Sequence, residues 1–172
     1  MRLPRMVAHL CGFFVSLSIL GCSSHQPRIS ADFNQGASLA GASAESLPVN
    51  PLRWKVITSE FNKKDSTMST LYGNELAAGY ARTNSQHDYP AGAALSLVTW
   101  TQREDGRWFG AKIPDQLRSV EFVTVEAGPD GRPLYSYQKY EGTPLKKLSA
   151  DQGLTSSNRV AYLLSQRAAV LP

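Results

Sequence analysis

Ala94-Leu95-Ser96-Leu97-Val98-Thr99-Trp100-Thr101, followed by Glu104-Asp105-Gly106-Arg107 and then Trp108 to Ile113, is the stretch on which the fold turns. Its period is two. Ala94, Ser96, Val98 and Trp100 fall on one side, and Leu95, Leu97, Thr99 and Thr101 on the other, as side chains do along an extended strand. Asp-Gly favours a tight hairpin turn, so Trp108 to Ile113 is expected to return as a second strand, ended by Pro114. Val120 to Ala127 reads as a third strand. Gly128-Pro129-Asp130-Gly131 then turns the chain into a fourth, Pro133 to Tyr140.

Upstream, Thr67 to Tyr72 is β-branched and aromatic and stops at Gly73, which predicts another strand. Asn74 is placed to cap a helix, because its side chain can accept from the free amides of the first turn. Glu75 follows at the positive end of the helix dipole. Leu76, Ala77, Tyr80 and Ala81 share a face at helical spacing, and that helix is expected to end near Asn84. Tyr89-Pro90-Ala91-Gly92 reads as a turn. Near the C-terminus Val160, Leu163, Leu164, Ala168 and Leu171 recur at helical spacing, with Ser157 or Asn158 as the expected cap. The fold class is therefore α+β: a mainly antiparallel β-sheet curved around an apolar interior, with one or two packed helices.

The N-terminus carries an address. Arg2 and Arg5 precede an apolar run from Leu10 to Leu20, and Ile19-Leu20-Gly21-Cys22-Ser23-Ser24 closes it. A basic start, a short apolar core and a small residue before the junction form a secretory signal. The run is shorter than the ~20 residues that span a bilayer. The junction at Cys22 resembles the lipobox of bacterial lipoproteins, which implies cleavage after Gly21, acylation of Cys22 and anchorage to a membrane; an ordinary signal peptide cut near Ser24 is the alternative. Ser23, rather than Asp, points to the outer membrane, facing the periplasm. Residues 23–50 are rich in Ser, Ala, Gly, Asn and Gln. They read as a flexible tether, dispensable for folding, because so little apolar surface cannot offset chain entropy. Residues 51–172 then form one globular domain, beginning with Leu52, Trp54, Val56 and Ile57.

Removing residues 1–21 takes Arg2 and Arg5 away and lowers the net charge from +4 to +2. That leaves no support for a nucleic-acid partner. Cys11 lies in the leader and Cys22 is the lipid site, so the domain has no thiol for a disulfide, a thiolate metal site or a nucleophile. No nucleophile elbow, phosphate-cradling loop or calcium loop occurs, so no catalytic residue and no metal site is assigned.

Four residues are candidates for ligand binding. His87, beside Asp88, is the one histidine of residues 51–172. Tyr89 follows it. Trp100 and Trp108 flank the Asp-Gly turn, where they would pair across strands or line a pocket mouth. Tyr135 and Tyr137 alternate onto one face of their strand and Tyr140 onto the other. Glu121, Glu126 and Glu141 read as solvated, and Lys146-Lys147 is too short to draw a polyanion.

Tyr72-Gly73-Asn74 opening an alanine-rich helix, Tyr89-Pro90-Ala91-Gly92, a strand closing on Val98-Thr99-Trp100, and Ser119-Val120-Glu121-Phe122-Val123 together resemble the cytochrome P-460 family over residues 52–145. The resemblance implies a small, mostly β periplasmic protein. In that family a c-type haem is attached through a C-terminal Cys-x-x-Cys-His, with a lysine cross-link in some members, and hydroxylamine is oxidised or nitric oxide bound. This chain departs from the pattern. No cysteine follows Cys22, Ser156 to Ala169 holds no histidine, and no lysine lies between Lys64 and Lys112. The scaffold is thus expected without covalent haem and without a resident cofactor. The expected role is non-enzymatic: holding a small apolar ligand or an envelope protein, or serving as a purely structural envelope factor. The alternative is a redox protein with non-covalent haem, ligated by His87, Met68 or a tyrosine such as Tyr89.

Overall fold

A computed structural model describes Leu39 and residues 47–83, 88–149 and 154–169. Six strands form one sheet: β1 (Lys55–Asn62), β2 (Thr67–Gly73), β3 (Ala94–Glu104), β4 (Lys112–Ala127), β5 (Pro133–Glu141) and β6 (Lys146–Lys147). They lie in sequence order with every neighbouring pair antiparallel, so the sheet is a plain meander. Helix α1 (Glu75–Arg82) is inserted between β2 and β3, and helix α2 (Leu154–Ser165) ends the described fold. The architecture is α+β and mainly antiparallel β, as the alternating stretches predict. Among the described residues no helix is long and apolar enough to cross a membrane.

The alternation in β3 sorts its side chains onto two faces, and both faces are covered. Leu95 and Leu97 join Ile57, Leu71, Val123 and Val125 in one cluster, under Ala77, Ala78 and Ala81 of α1 and Leu163 of α2. Val98 and Trp100 point the other way, into a cluster with Leu117, Val120, Phe122, Tyr140 and Leu145. In place of one enclosed interior, the sheet separates two apolar layers. Leu39 and Leu47 fall in the stretch read as a tether, yet they pack against the second layer with Leu52 and Trp54. Asn50 caps the 3-10 turn Pro51–Arg53 that brings Trp54 onto Phe122, ring centroids 6.2 Å apart and edge to face.

Asn74 does more than cap α1. Its Oδ1 accepts from the Ala77 amide at 2.9 Å and the Ala94 amide at 3.3 Å, and its Nδ2 donates to the Gly92 carbonyl at 2.8 Å. One side chain thus joins the helix start to the Pro90–Ala93 turn, whose Gly92 has φ +91°. Gly73 lets α1 approach the sheet, since a Cβ there would lie 3.0 Å from Ala77 Cβ and 3.1 Å from the Ala78 amide nitrogen of the helix. The buried face of α1 is Ala77, Ala78 and Ala81 rather than one that includes Leu76, which is exposed.

Three sequence expectations need correction. Of Trp108 to Ile113 only Lys112 and Ile113 are extended: β4 starts at Lys112, and Trp108 to Ala111 form a loop. Pro114 does not end a strand but sits inside β4, opposite Gln102, where the register with β3 shifts. A bulge tolerates the missing amide, and Gln116 N–H is satisfied by Thr101 Oγ1 at 3.0 Å. Helix α2 begins at Leu154, so Ser157 and Asn158 lie within it rather than capping it, and Ala168 lies beyond its end. Leu171 falls outside the described residues.

Candidate functional site

Helix α2 lies across the face formed by β4 and β5, and the space between them is not filled by side chains. One cavity of about 580 Å³ is lined by Glu121, Tyr137, Lys139, Leu148, Arg159 and Tyr162, among others. A second, about 700 Å³, runs past Tyr89, Tyr135, Val160, Leu164 and Arg167. Tyr137 and Ser156 line both, so the two adjoin. Each has the size of a small-molecule site.

The floor of the first cavity is a buried polar cluster. Glu121 is only 4% exposed, on the same face of β4 as Val123 and Val125. A bare carboxylate there would be costly, and it is fully engaged. Arg159 of α2 donates from Nε to Oε2 at 2.7 Å and from Nη2 to Oε1 at 2.8 Å. Tyr137 of β5 adds a hydroxyl donor to Oε2 at 2.7 Å. Planar guanidinium and carboxylate meet side by side, the strongest geometry such a pair adopts. This corrects the reading of Glu121 as a solvated side chain. The signal was in the sequence, since a carboxylate in phase with Val123 and Val125 needs a buried partner. Its partner, 38 residues away, carried no such mark.

Burial, and then the bond to Glu121, push the Tyr137 hydroxyl well above its ordinary range. Tyr162 is pushed up to about 12, by burial and then by its hydroxyl bond to Glu60 on β1. The bond to Glu121 raises Arg159 further above its ordinary value. The guanidinium also lies over the Tyr162 ring, 4.8 Å from its centroid. These groups are locked in one protonation state across the physiological range: Tyr137 and Tyr162 neutral donors, Arg159 a cation. Tyrosines held so far up are poor general acids. The cluster can orient and bind; it is not arranged for proton transfer.

The sequence-predicted site residues do not converge. Cys22 and His87 lie outside the described residues. Tyr89 is buried and lines the second cavity, with its hydroxyl donating to the Gln166 carbonyl at 3.1 Å and its ring 4.7 Å from that of Tyr80. Trp100 is buried in the opposite layer, beside Met68 across the strand pair. Trp108 stands at the tip of the β3–β4 hairpin, so it neither pairs with Trp100 nor lines a pocket with it. Tyr135 and Tyr137 do share a face and a cavity, and Tyr140 faces the other layer, as the alternation predicts. Among the described residues no three His, Cys, Asp or Glu side chains converge as metal ligands would. Neither protein-family models nor curated proteins yield a match to this sequence.

Proposed function

We propose that this chain is an envelope lipoprotein, anchored through Cys22, whose domain holds a small ligand in the cleft between α2 and the β4–β5 face. The observation that carries the reading is the pair of adjoining cavities, about 580 and 700 Å³, the first floored by the Glu121–Arg159–Tyr137 cluster and joined to the second at Tyr137 and Ser156. Two of the five guanidinium N–H groups of Arg159 are used on Glu121; the others suit a carbonyl or anionic group on the ligand. Tyr135, Val160 and Leu164 supply the apolar wall. The ligand is thus small and largely apolar, with one polar end.

A cytochrome P-460-like scaffold without covalent haem remains part of the proposal. No cysteine follows Cys22, and two named candidate ligands, Met68 and Tyr89, pack into opposite layers of the sheet, with the Tyr89 hydroxyl already engaged.

N-phenyl-1-naphthylamine, an apolar dye that fluoresces when shielded from water, tests the cleft. The full chain should give a saturable rise in dye emission, and Ser156→Trp, filling the lining common to both cavities, should abolish it while the circular dichroism stays unchanged. A rise equal in both proteins, or no rise in either, would sink the cleft as a ligand site.

A further inference from the structure

The β3–β4 loop holds two large aromatic side chains in water on a rigid neck. Asp105 is buried, and its carboxylate accepts from the Arg107 amide at 3.0 Å and from Arg107 Nε at 3.2 Å. The Asp105 amide donates to the Ala111 carbonyl at 3.0 Å. The Trp108 amide donates to the Asp105 carbonyl at 3.2 Å, and the Ala111 amide to the Trp108 carbonyl at 3.0 Å. The backbone is therefore closed on itself, yet Trp108 is 70% exposed and Phe109 110%. The β1–β2 turn lies at the same end of the sheet, tied there by Gln102 N–H to the Ser66 carbonyl at 3.0 Å. It adds exposed Phe61, Lys63 and Lys64. Around the hairpin neck Glu104 is paired with Lys112, Asp105 with Arg107 and Asp115 with Arg103. The charge left over at this end is that of Lys63 and Lys64 against Asp65.

We propose that this end of the sheet docks on a bilayer surface, with Trp108 and Phe109 inserted at the headgroup level and Lys63 and Lys64 facing anionic lipid. Three features select a membrane over a protein. Trp108, Phe109 and Phe61 are the exposed aromatics named at this end, and three such side chains bury roughly 450–750 Å², short of the ~800 Å² per partner of a stable protein interface. Tryptophan, apolar with one N–H donor, favours the interfacial region, and the excess of lysine suits an anionic leaflet. The chain between Cys22 and Leu39 reaches up to ~60 Å when extended, about the length of β4, so an anchored Cys22 leaves either end of the sheet free to meet the same bilayer. The inference goes beyond ligand binding in the cleft; its third support rests on the proposed anchor at Cys22, while the first two stand without it.

Tryptophan fluorescence tests it, because Trp100 is buried and Trp54 half-buried while Trp108 is exposed. The full chain is mixed with phosphatidylethanolamine–phosphatidylglycerol vesicles, with and without bromine on the acyl chains. Expected are a blue shift, protection of Trp108 from iodide, and quenching by the brominated chains that is lost in Trp108→Phe and reduced in Phe109→Ser. Trp108 that stays open to iodide on vesicles, or bromine quenching equal in wild type and Trp108→Phe, would overturn the proposal. Protection by envelope proteins but not by vesicles would overturn it too, assigning the tip to a protein partner.

Discussion

Arg159 on the C-terminal helix grips both carboxylate oxygens of Glu121 on β4, at 2.7 and 2.8 Å, across 38 residues of sequence. The pair fixes α2 over the sheet, and it does so beside a cavity instead of within a packed core. Removing one partner strands a buried charge, which typically costs about 3–5 kcal/mol, while replacing both with apolar groups of similar size is often neutral. Arg159→Ala is therefore expected to lower stability by about 3 kcal/mol in urea unfolding, discounted to the low end because the Arg159 side chain is partly exposed. Glu121→Leu combined with Arg159→Met should recover most of that loss. A double variant no more stable than Arg159→Ala would show that α2 is held by something other than this pair.

Asn74 carries the second prediction. An ordinary cap is worth about 1 kcal/mol. This one also bonds Gly92 and Ala94, so Asn74→Ala leaves the cap amide, the Gly92 carbonyl of the loop and the Ala94 amide at the start of β3 without this partner. The expected loss is about 2 kcal/mol or more. Asn74→Ser, which restores the cap alone, should recover only part of it. Full recovery by serine would show that the loop bonds contribute nothing.

Those two residues also show what could be read from the sequence. Asn74 and its helix were legible because a cap and its amide are three residues apart, and the same side chain's hold on Gly92 was not, because no local pattern encodes it. The two-residue period places β3 and assigns Val98 and Leu97 to opposite layers, β-branched and aromatic content places β2, and the turn at Gly128-Pro129-Asp130-Gly131 places β5. Pro114 misled because a proline without an amide donor looks like a strand end, whereas the bulge opposite Gln102 absorbs it within one long strand. With that strand split in two, Trp108 was placed in a ladder instead of at its tip. Of the candidate site, the sequence marks Tyr89 and Tyr137, reads Glu121 as solvated and leaves Arg159 unmarked. Their meaning arises only when α2 is laid over β4.

The stretch before Pro51 offers a third test. Leu39 and Leu47 pack against the layer containing Trp100 and Phe122, so the domain does not begin at Pro51. Truncating each half-buried leucine to alanine should cost about 1 kcal/mol, lowering the thermal midpoint by a few degrees for each. Unchanged midpoints in both variants would return this segment to the role of a simple tether.

Alkaline pH gives a fourth. Tyr137 and Tyr162 titrate above their ordinary range in the folded protein, Tyr162 at about 12, while tyrosines of the unfolded chain titrate near 10. Above about pH 10 the unfolded chain has therefore lost protons that the folded one keeps, and stability falls as pH rises toward and through the folded values. Below about pH 10 the contribution is fully present. Tyr137→Phe and Tyr162→Phe should each flatten the decline in urea midpoint between about pH 9 and pH 12. An equal decline in the double variant would place the alkaline sensitivity elsewhere.

The proposed lipid anchor at Cys22 supplies the last test. Leu20-Gly21-Cys22 follows a basic start and a short apolar run, and Cys11, inside that run, is the other cysteine of the sequence. A thioether-linked diacylglycerol at Cys22 requires that sulfur, whereas a signal cut near Ser24 would discard it. Cys22→Ser should therefore abolish incorporation of labelled palmitate and release the protein from the membrane fraction into the periplasm or leave it as an uncleaved precursor. If the bilayer-docking end of the sheet acts as proposed, released protein should still bind anionic vesicles, and only the further change Trp108→Ser should remove that residual binding. Palmitate incorporation unchanged in Cys22→Ser would dismiss the anchor while leaving the Trp108 surface to be judged on its own fluorescence.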